Sequence, residues 1–186
     1  KPIEIKPRQL RTVIEKPKAS AKPEPTIKRD DVISLVDFIE QYARQFEVTP
    51  ETYAEMHEEK LRNLIVGMMN TNYPGSTTAE TFSKLGKTDI SFQVGAGQVL
   101  ICECKFWSGA KEYGEALDQL FGYLTWRHNY GLMITFCKLK DMSKAVSAAI
   151  QAMKKHPTFA SGSLHVTSGT RFVTRHVHPQ DDGKTV

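Results

Sequence analysis

Two carboxylates and an amine stand at spacings that a β-hairpin would bring to one spot. Thirteen residues separate Asp89 from Glu103, and Lys105 follows Glu103 after a single cysteine. The stretch between the acids is largely apolar and is interrupted by Gly95-Ala96-Gly97, a turn signal. If that triplet is a three-residue loop, Val94 faces Gln98, and the same register sets Asp89 opposite Glu103 and Lys87 opposite Lys105. Directly opposed residues of antiparallel strands hold their Cβ atoms roughly 5 Å apart. A two-residue loop would slip the register by one and break the pairing. Carboxylates that close repel unless one is protonated or a cation lies between them. The cluster is therefore either a pair of acids that shares a proton or a cation, or an Asp89–Lys105–Glu103 ion-pair network with no chemistry.

The elements that must position these groups are readable from periodicity. After Asp30-Asp31, a candidate N-cap, Val32, Val36, Ile39 and Ala43 recur at helical spacing. Thr49-Pro50-Glu51 restarts a helix with Pro50 at its first position, and Tyr53, Leu61, Leu64, Ile65 and Met68 carry it to Tyr73-Pro74-Gly75. Three strand-like stretches follow at Ala79–Leu85, Thr88–Val94 and Gln98–Phe106. A helix is expected from Tyr113 to His128, a strand at Leu132–Cys137, a helix at Ser143–Lys155, and short strands at Ser163–Val166 and Arg171–Val177. The order predicts an α/β domain with a central mixed sheet flanked by helices. Along Gln98–Phe106, Val99, Ile101, Glu103 and Lys105 share one face, while Leu100, Cys102, Cys104 and Phe106 share the other. A strand so apolar is expected to be buried on both sides, and a charge within it needs a partner.

Thr88-Asp89, then thirteen residues, then Glu103-Cys104-Lys105 resembles the signature of the PD-(D/E)XK nuclease superfamily, with Thr88 where that signature carries proline. The resemblance spans roughly residues 51–138. It implies a restriction-endonuclease-like core in the order αβββαβ, here with an added N-terminal helix. Gln119-Leu120-Phe121-Gly122-Tyr123 resembles the QxxxY motif of RecB-like members, and at i and i+4 its Gln and Tyr lie on one helix face. An ordinary amphipathic core position is the alternative for Tyr123. The resemblance also implies an acid from the first core helix. Glu58 precedes Leu61 and Ile65 by three and seven residues and so projects from the core-facing side, ahead of Glu59 and Glu55. Glu80 is a further candidate.

On this resemblance Asp89, Glu103, the Cys104 backbone carbonyl and Glu58 would hold Mg²⁺, or Mn²⁺. Lys105 would orient a water or neutralise charge developing on the phosphate, and Gln119 would position a water or a phosphate oxygen. The implied function is phosphodiester hydrolysis in DNA by an endonuclease, double-stranded DNA first. It would be the effector domain of a longer prokaryotic restriction or defence protein with an upstream sensor or regulatory domain, and a homo-oligomer is open. A non-catalytic module of the same fold, binding nucleic acid or a partner protein, is the alternative, and an RNA-acting nuclease the third. Lys84, Lys87, Lys111, Trp107, Trp126 and Arg127 are candidate nucleic-acid contacts, with Trp126 reading as helix packing, and Lys138 and Lys140 candidate phosphate contacts.

Composition bounds the rest. The chain has 186 residues, 40% of them hydrophobic, and a net charge of +4, enough apolar residues to exclude global disorder. Residues 1–29 hold nine Lys/Arg against three acids, leaving sixteen against eighteen in 30–186, so a +6 tail precedes a −2 body. With five of the nine prolines in its first 25 residues, 1–29 reads as a basic linker and 30–186 as the nuclease-like domain. The chain begins at Lys1, which suggests a piece of a longer polypeptide. No 18-residue apolar run and no leader pattern occur, so neither a membrane span nor a secretory signal is expected, and a cytoplasmic setting is. Cys102, Cys104 and Cys137 fit no zinc spacing and read as buried small hydrophobes. G-x-S-x-G, H-E-x-x-H and P-loop patterns are absent. His176-x-His178 beside Asp181-Asp182 could bind a metal adventitiously on a frayed terminus.

Overall fold

The computed structural model describes residues 28–75, 77–83, 86–94 and 97–186, with side chains left out at 78–83, 86–87, 94 and 97–99. Most of the basic linker, Lys84, the hairpin tip Gly95-Ala96 and the side chains of Glu80 and Lys87 lie outside the described residues.

The chain runs α1 (Arg29–Val48), α2 (Pro50–Tyr53), α3 (Glu58–Asn72), β1 (Thr77–Ser83), β2 (Gly86–Val94), β3 (Gly97–Phe106), α4 (Ala110–Tyr123), β4 (Gly131–Phe136) and α5 (Met142–Lys155). Short strands β5 (His165–Val166), β6 (Phe172–Val173), β7 (Val177–His178) and β8 (Asp181–Thr185) follow. β1 to β4 form one sheet in sequence order, with β1, β2 and β3 antiparallel and β4 parallel to β3. A parallel neighbour needs a crossover, and α4 supplies it.

Helices cover both faces of this mixed sheet. Leu35 and Ile39 of α1 and Leu61, Ile65 and Met69 of α3 pack on Ile90, Phe92, Leu100, Cys102 and Cys104. On the other face Tyr113, Leu117, Leu120 and Phe121 of α4 meet Ile101, with Ala149 and Met153 of α5 behind them. Leu100, Ile101, Cys102, Glu103 and Cys104 are each at most 2% exposed, so β3 is an inner strand of a covered sheet.

Several expectations about the helices change. The helix expected from Pro50 to about Tyr73 is broken: His57 is extended (φ −77°, ψ 158°), so α2 is one turn and α3 begins afresh at Glu58. The freed Ala54 carbonyl accepts a 2.6 Å hydrogen bond from Lys138 Nζ. Asp30 and Asp31 are not a cap but lie in the first turn of α1, where acids suit the helix dipole, and the core-facing stripe is Leu35 and Ile39 rather than Val32, Val36 and Ala43. The fourth helix stops at Tyr123, not His128. Leu124 is extended, and Thr125–His128 forms a turn in which Thr125 N–H donates to His128 Nδ1 (2.8 Å).

The C-terminal segment is not frayed, because its histidines are core groups. His178 is fully buried, its Nε2 2.8 Å from the Thr125 carbonyl. His176 is 3% exposed, stacked among Phe121, Phe159 and His156, with Thr158 Oγ1 2.9 Å from Nδ1 and Thr174 Oγ1 3.1 Å from Nε2. Thr158 also bonds His156 Nδ1 (2.8 Å), whose Nε2 lies 3.0 Å from Asp118. Neutral rings satisfy the whole chain: His156 donates from Nε2 to Asp118, and the Thr158 hydroxyl accepts from His176 and donates to His156. Burial, and then the charge of His156, push the His176 pKa down to about 4 from 6.5.

The folded pKa lies below the unfolded one, so this contribution is present above pH 6.5 and is lost as pH falls through 4. Its full size is about 3 kcal/mol. Urea melts at pH 7 and pH 4.5 should therefore show a larger acid loss for wild type than for His176→Asn. Equal losses would remove the buried neutral histidine from the account.

Candidate active site

The site is built at the end of β3 that points toward α3. Val94 pairs with Gly97 and Gln93 with Gln98, one residue short of the expected register. A bulge then intervenes, because Phe92 pairs with Leu100, so Val99 is the extra residue. From there Ser91 pairs with Ile101 and Ile90 with Cys102, and continuing that register sets Asp89 opposite Glu103. The juxtaposition read from the sequence is thus reached by a tighter turn plus a bulge rather than by a three-residue loop.

Ile90–Cys102 is the last pair of the β2–β3 ladder, and beyond it a side chain replaces the backbone acceptor. Asp89 Oδ2 accepts from Cys104 N–H at 2.8 Å. Its other oxygen accepts from Arg62 Nη1 at 3.1 Å. An antiparallel strand residue turns its N–H and C=O to the same side, so the Cys104 carbonyl also faces the β2 side. The Cys104 thiol, on the α3 face, is packing, and burial holds its pKa well above the usual thiol range.

Glu103 is fully buried, and among the described residues neither of its carboxylate oxygens has a hydrogen-bond partner. Lys105 Nζ stands 3.1 Å from Oε1, an ion pair made outside hydrogen-bonding geometry. Burial first, and then the Asp89 charge, raise the Glu103 pKa to about 7, against the opposing pull of Lys105. Burial works against the Lys105 charge too, but Glu103, Glu58 and Asp89 together outweigh it and hold its pKa above the ordinary value.

The break before α3 brings in Glu58. One of its oxygens accepts from Phe106 N–H at 2.7 Å and the other lies 3.5 Å from Lys105 Nζ. Glu58 therefore positions Lys105 and closes the end of β3, while Glu55 and Glu59 are exposed. One helical turn on, Arg62 is 6% exposed within the stripe Leu61, Ile65 and Met69. Sequence reading passed over it. The available signal was a charge inside an apolar helical stripe, four residues after the chosen acid.

Gln119 Nε2 donates to Tyr123 Oη at 2.7 Å, so the two share a helix face. Tyr123 is buried in the α4 core cluster, and among the described residues neither makes a hydrogen bond to Asp89, Glu103 or Lys105. Of the candidate nucleic-acid contacts, Lys111 pairs with Glu115 on the surface, and Trp107 is half-buried against Tyr113. Lys138 lies over the Phe106 ring at 4.4 Å, and Lys140 is exposed. Trp126 is not helix packing: it sits on the turn after α4, 51% exposed, with the Arg127 guanidinium 4.4 Å over its ring.

Beside Lys105, residues Phe106, Trp107, Ser108, Gly109, Glu112 and Tyr113 line a hollow of about 30 Å³, room for a single water. Gly109 sits there at φ +140°, and a Cβ on it would meet Glu112 Oε2 at 2.9 Å. A larger open depression, about 420 Å³, lies between α1 and α3 but is lined by none of the acids. Chemistry, not volume, places the site at β3.

Among the described residues no three His, Cys, Asp or Glu side chains are grouped to hold a metal ion as they stand. Mg²⁺ asks for less, because it keeps several waters and is commonly bound through one or two carboxylates. The buried carboxylate of Glu103 fits that demand, with Oε1 ion-paired to Lys105 and Oε2 without a partner among the described residues. Asp89 fits it with both oxygens already engaged. His176 and His178 are satisfied core groups and do not.

The Glu103 pKa is raised on folding, so its contribution is full below pH 4.5 and is lost as pH rises through about 7. In EDTA, wild type should lose on the order of 3 kcal/mol across that window relative to Glu103→Gln, measured by denaturant melts. A parallel pH dependence in the two would show Glu103 ionising freely. No protein-family model, curated protein or solved structure matches this chain.

Proposed function

We propose that this chain is a Mg²⁺-dependent nuclease that hydrolyses phosphodiester bonds of DNA as an endonuclease. The observation that carries the reading is Glu103: a carboxylate wholly buried on an inner strand, without a hydrogen-bond partner among the described residues, in register with Asp89 and 3.1 Å from Lys105. The order α3-β1-β2-β3-α4-β4, with the acids on β2 and β3, supports a restriction-endonuclease-like core.

Asp89, Glu103 and the Cys104 carbonyl would hold the cation. When bound it supplies Lewis-acid polarisation of the phosphate and an acidified water. The chain's own residues do the rest. Cys104 N–H fixes the rotation of the Asp89 carboxylate. Glu58 holds the Lys105 ammonium at the mouth of the site, where its charge opposes the charge gained by the phosphoryl oxygens. The hollow beside Lys105 gives a water a place next to that ammonium.

A second reading, a non-catalytic module that binds nucleic acid or a partner, is favoured by the internal neutralisation of the cluster. Arg62 and Lys105 already answer Asp89, Glu103 and Glu58.

Supercoiled plasmid with Mg²⁺ separates the readings. Wild type is expected to nick it, EDTA and Glu103→Ala to reduce nicking to background, and Lys105→Met to slow it by roughly two orders of magnitude. Binding without nicking would select the second reading. Nicking equal in wild type and Glu103→Ala would sink the nuclease assignment.

A further inference from the structure

Resting on the metal-dependent reading of this site, we propose that Arg62 is a built-in placeholder for the divalent cation. It neutralises Asp89 in the cation-free protein and is displaced from that carboxylate when the cation binds.

Charge placement leads to this. Among the described side chains, three carboxylates (Glu58, Asp89, Glu103) meet two cations (Arg62, Lys105). The cations are divided between the acids: Lys105 bridges Glu58 and Glu103, and Arg62 takes Asp89. Arg62 is 6% exposed, so its guanidinium meets Asp89 with little water between them to weaken the attraction. Without that cation Asp89 and Glu103 would face one another across the hairpin as partly buried like charges.

A divalent cation shared by Asp89 and Glu103 cannot leave this arrangement untouched. Asp89 Oδ2 is held by the strand amide of Cys104, which leaves Oδ1, the oxygen that Arg62 holds, as the one able to turn to a new partner. Metal–oxygen distances near 2 Å would place the dication within about one side-chain width of the guanidinium. Like charges so close in a dry site repel strongly. Arg62 has a second acceptor at hand: Asn63 Oδ1 lies 3.4 Å from both its Nε and its Nη2. Asn63 already accepts from the guanidinium alongside Asp89, so release of Asp89 leaves it hydrogen-bonded to a neutral oxygen. Glu103 Oε1 is paired with Lys105, but Oε2 has no partner among the described residues and needs no such exchange.

Arg62 therefore acts through Asp89, as a positioning residue, and its removal must act on cation affinity rather than on fold alone. Mn²⁺ binding followed by electron paramagnetic resonance reads this without activity. Arg62→Met should bind Mn²⁺ about tenfold more tightly than wild type, and the rise in melting temperature on adding Mg²⁺ should be larger in the variant. In wild type, Mg²⁺ should shift the ¹⁵N resonance of the Arg62 Nε–H, identified by its absence from Arg62→Lys. This second measurement stands even if Arg62→Met fails to fold.

Unchanged or weaker Mn²⁺ affinity in Arg62→Met, or an Arg62 resonance indifferent to Mg²⁺ in a wild type that binds the ion and nicks plasmid, overturns the placeholder and leaves the nuclease reading standing. Absence of Mn²⁺ binding from both proteins, with no nicking, overturns both.

Discussion

The structure turns on a carboxylate placed where water does not reach. Glu103 lies on an inner strand of a sheet whose two faces are covered by helices, so its charge has neither solvent nor a full set of hydrogen bonds. An uncompensated buried charge is costly enough that it protonates or acquires partners. Both happen here: its pKa rises to about 7, and Lys105 draws in from two residues along the strand. Glu58 at the start of α3 then steadies Lys105, and Arg62 one turn later steadies Asp89. The break at His57 makes sense in this light. A continuous helix from Pro50 would have fixed the entry of α3, whereas a fresh start at Glu58 lets its carboxylate reach the Phe106 amide at the end of β3.

Much of this frame was written in the local pattern. β3 was legible because alternation and near-continuous apolarity coincide on Gln98–Phe106, and its pairing with β2 because a glycine-flanked turn separates two strand-like runs. The pairing was reached by a different route. A two-residue tip followed by a bulge at Val99 gives the same register below Phe92 as a three-residue loop, since each adds one residue to one arm. Side-chain alternation cannot tell these apart below the bulge, and they differ only at the tip.

What the sequence hid were decisions made by tertiary contacts. Tyr123 ends α4 although apolar residues continue to Leu124, because the Thr125–His128 turn is held by His128 and His178, fifty residues apart in the chain. A lone histidine pair near a terminus looks like a loose metal site in one dimension. In three it is a satisfied core group, its hydrogen-bond partners supplied by Thr125, Thr158 and Thr174. Trp126, freed from the helix, becomes an exposed ring under Arg127 instead of a packing residue.

Where counter-charges to a buried strand acid must come from is itself constrained. The strand's backbone groups are committed to the ladder or, at Cys104 and Phe106, to the Asp89 and Glu58 carboxylates, and the helices over each face present apolar stripes. Only the strand's own next outward-alternating residue and the end of a covering helix remain. Lys105 is the first, and the opening turns of α3 are the second, where Arg62 takes Asp89 and Glu58 steadies Lys105. A basic residue inside the apolar stripe of a helix is therefore a pointer to an acid elsewhere in the chain, because burying its charge without one is costly. Arg62, between Leu61 and Ile65, carries that pointer, and Asp89 is where it leads.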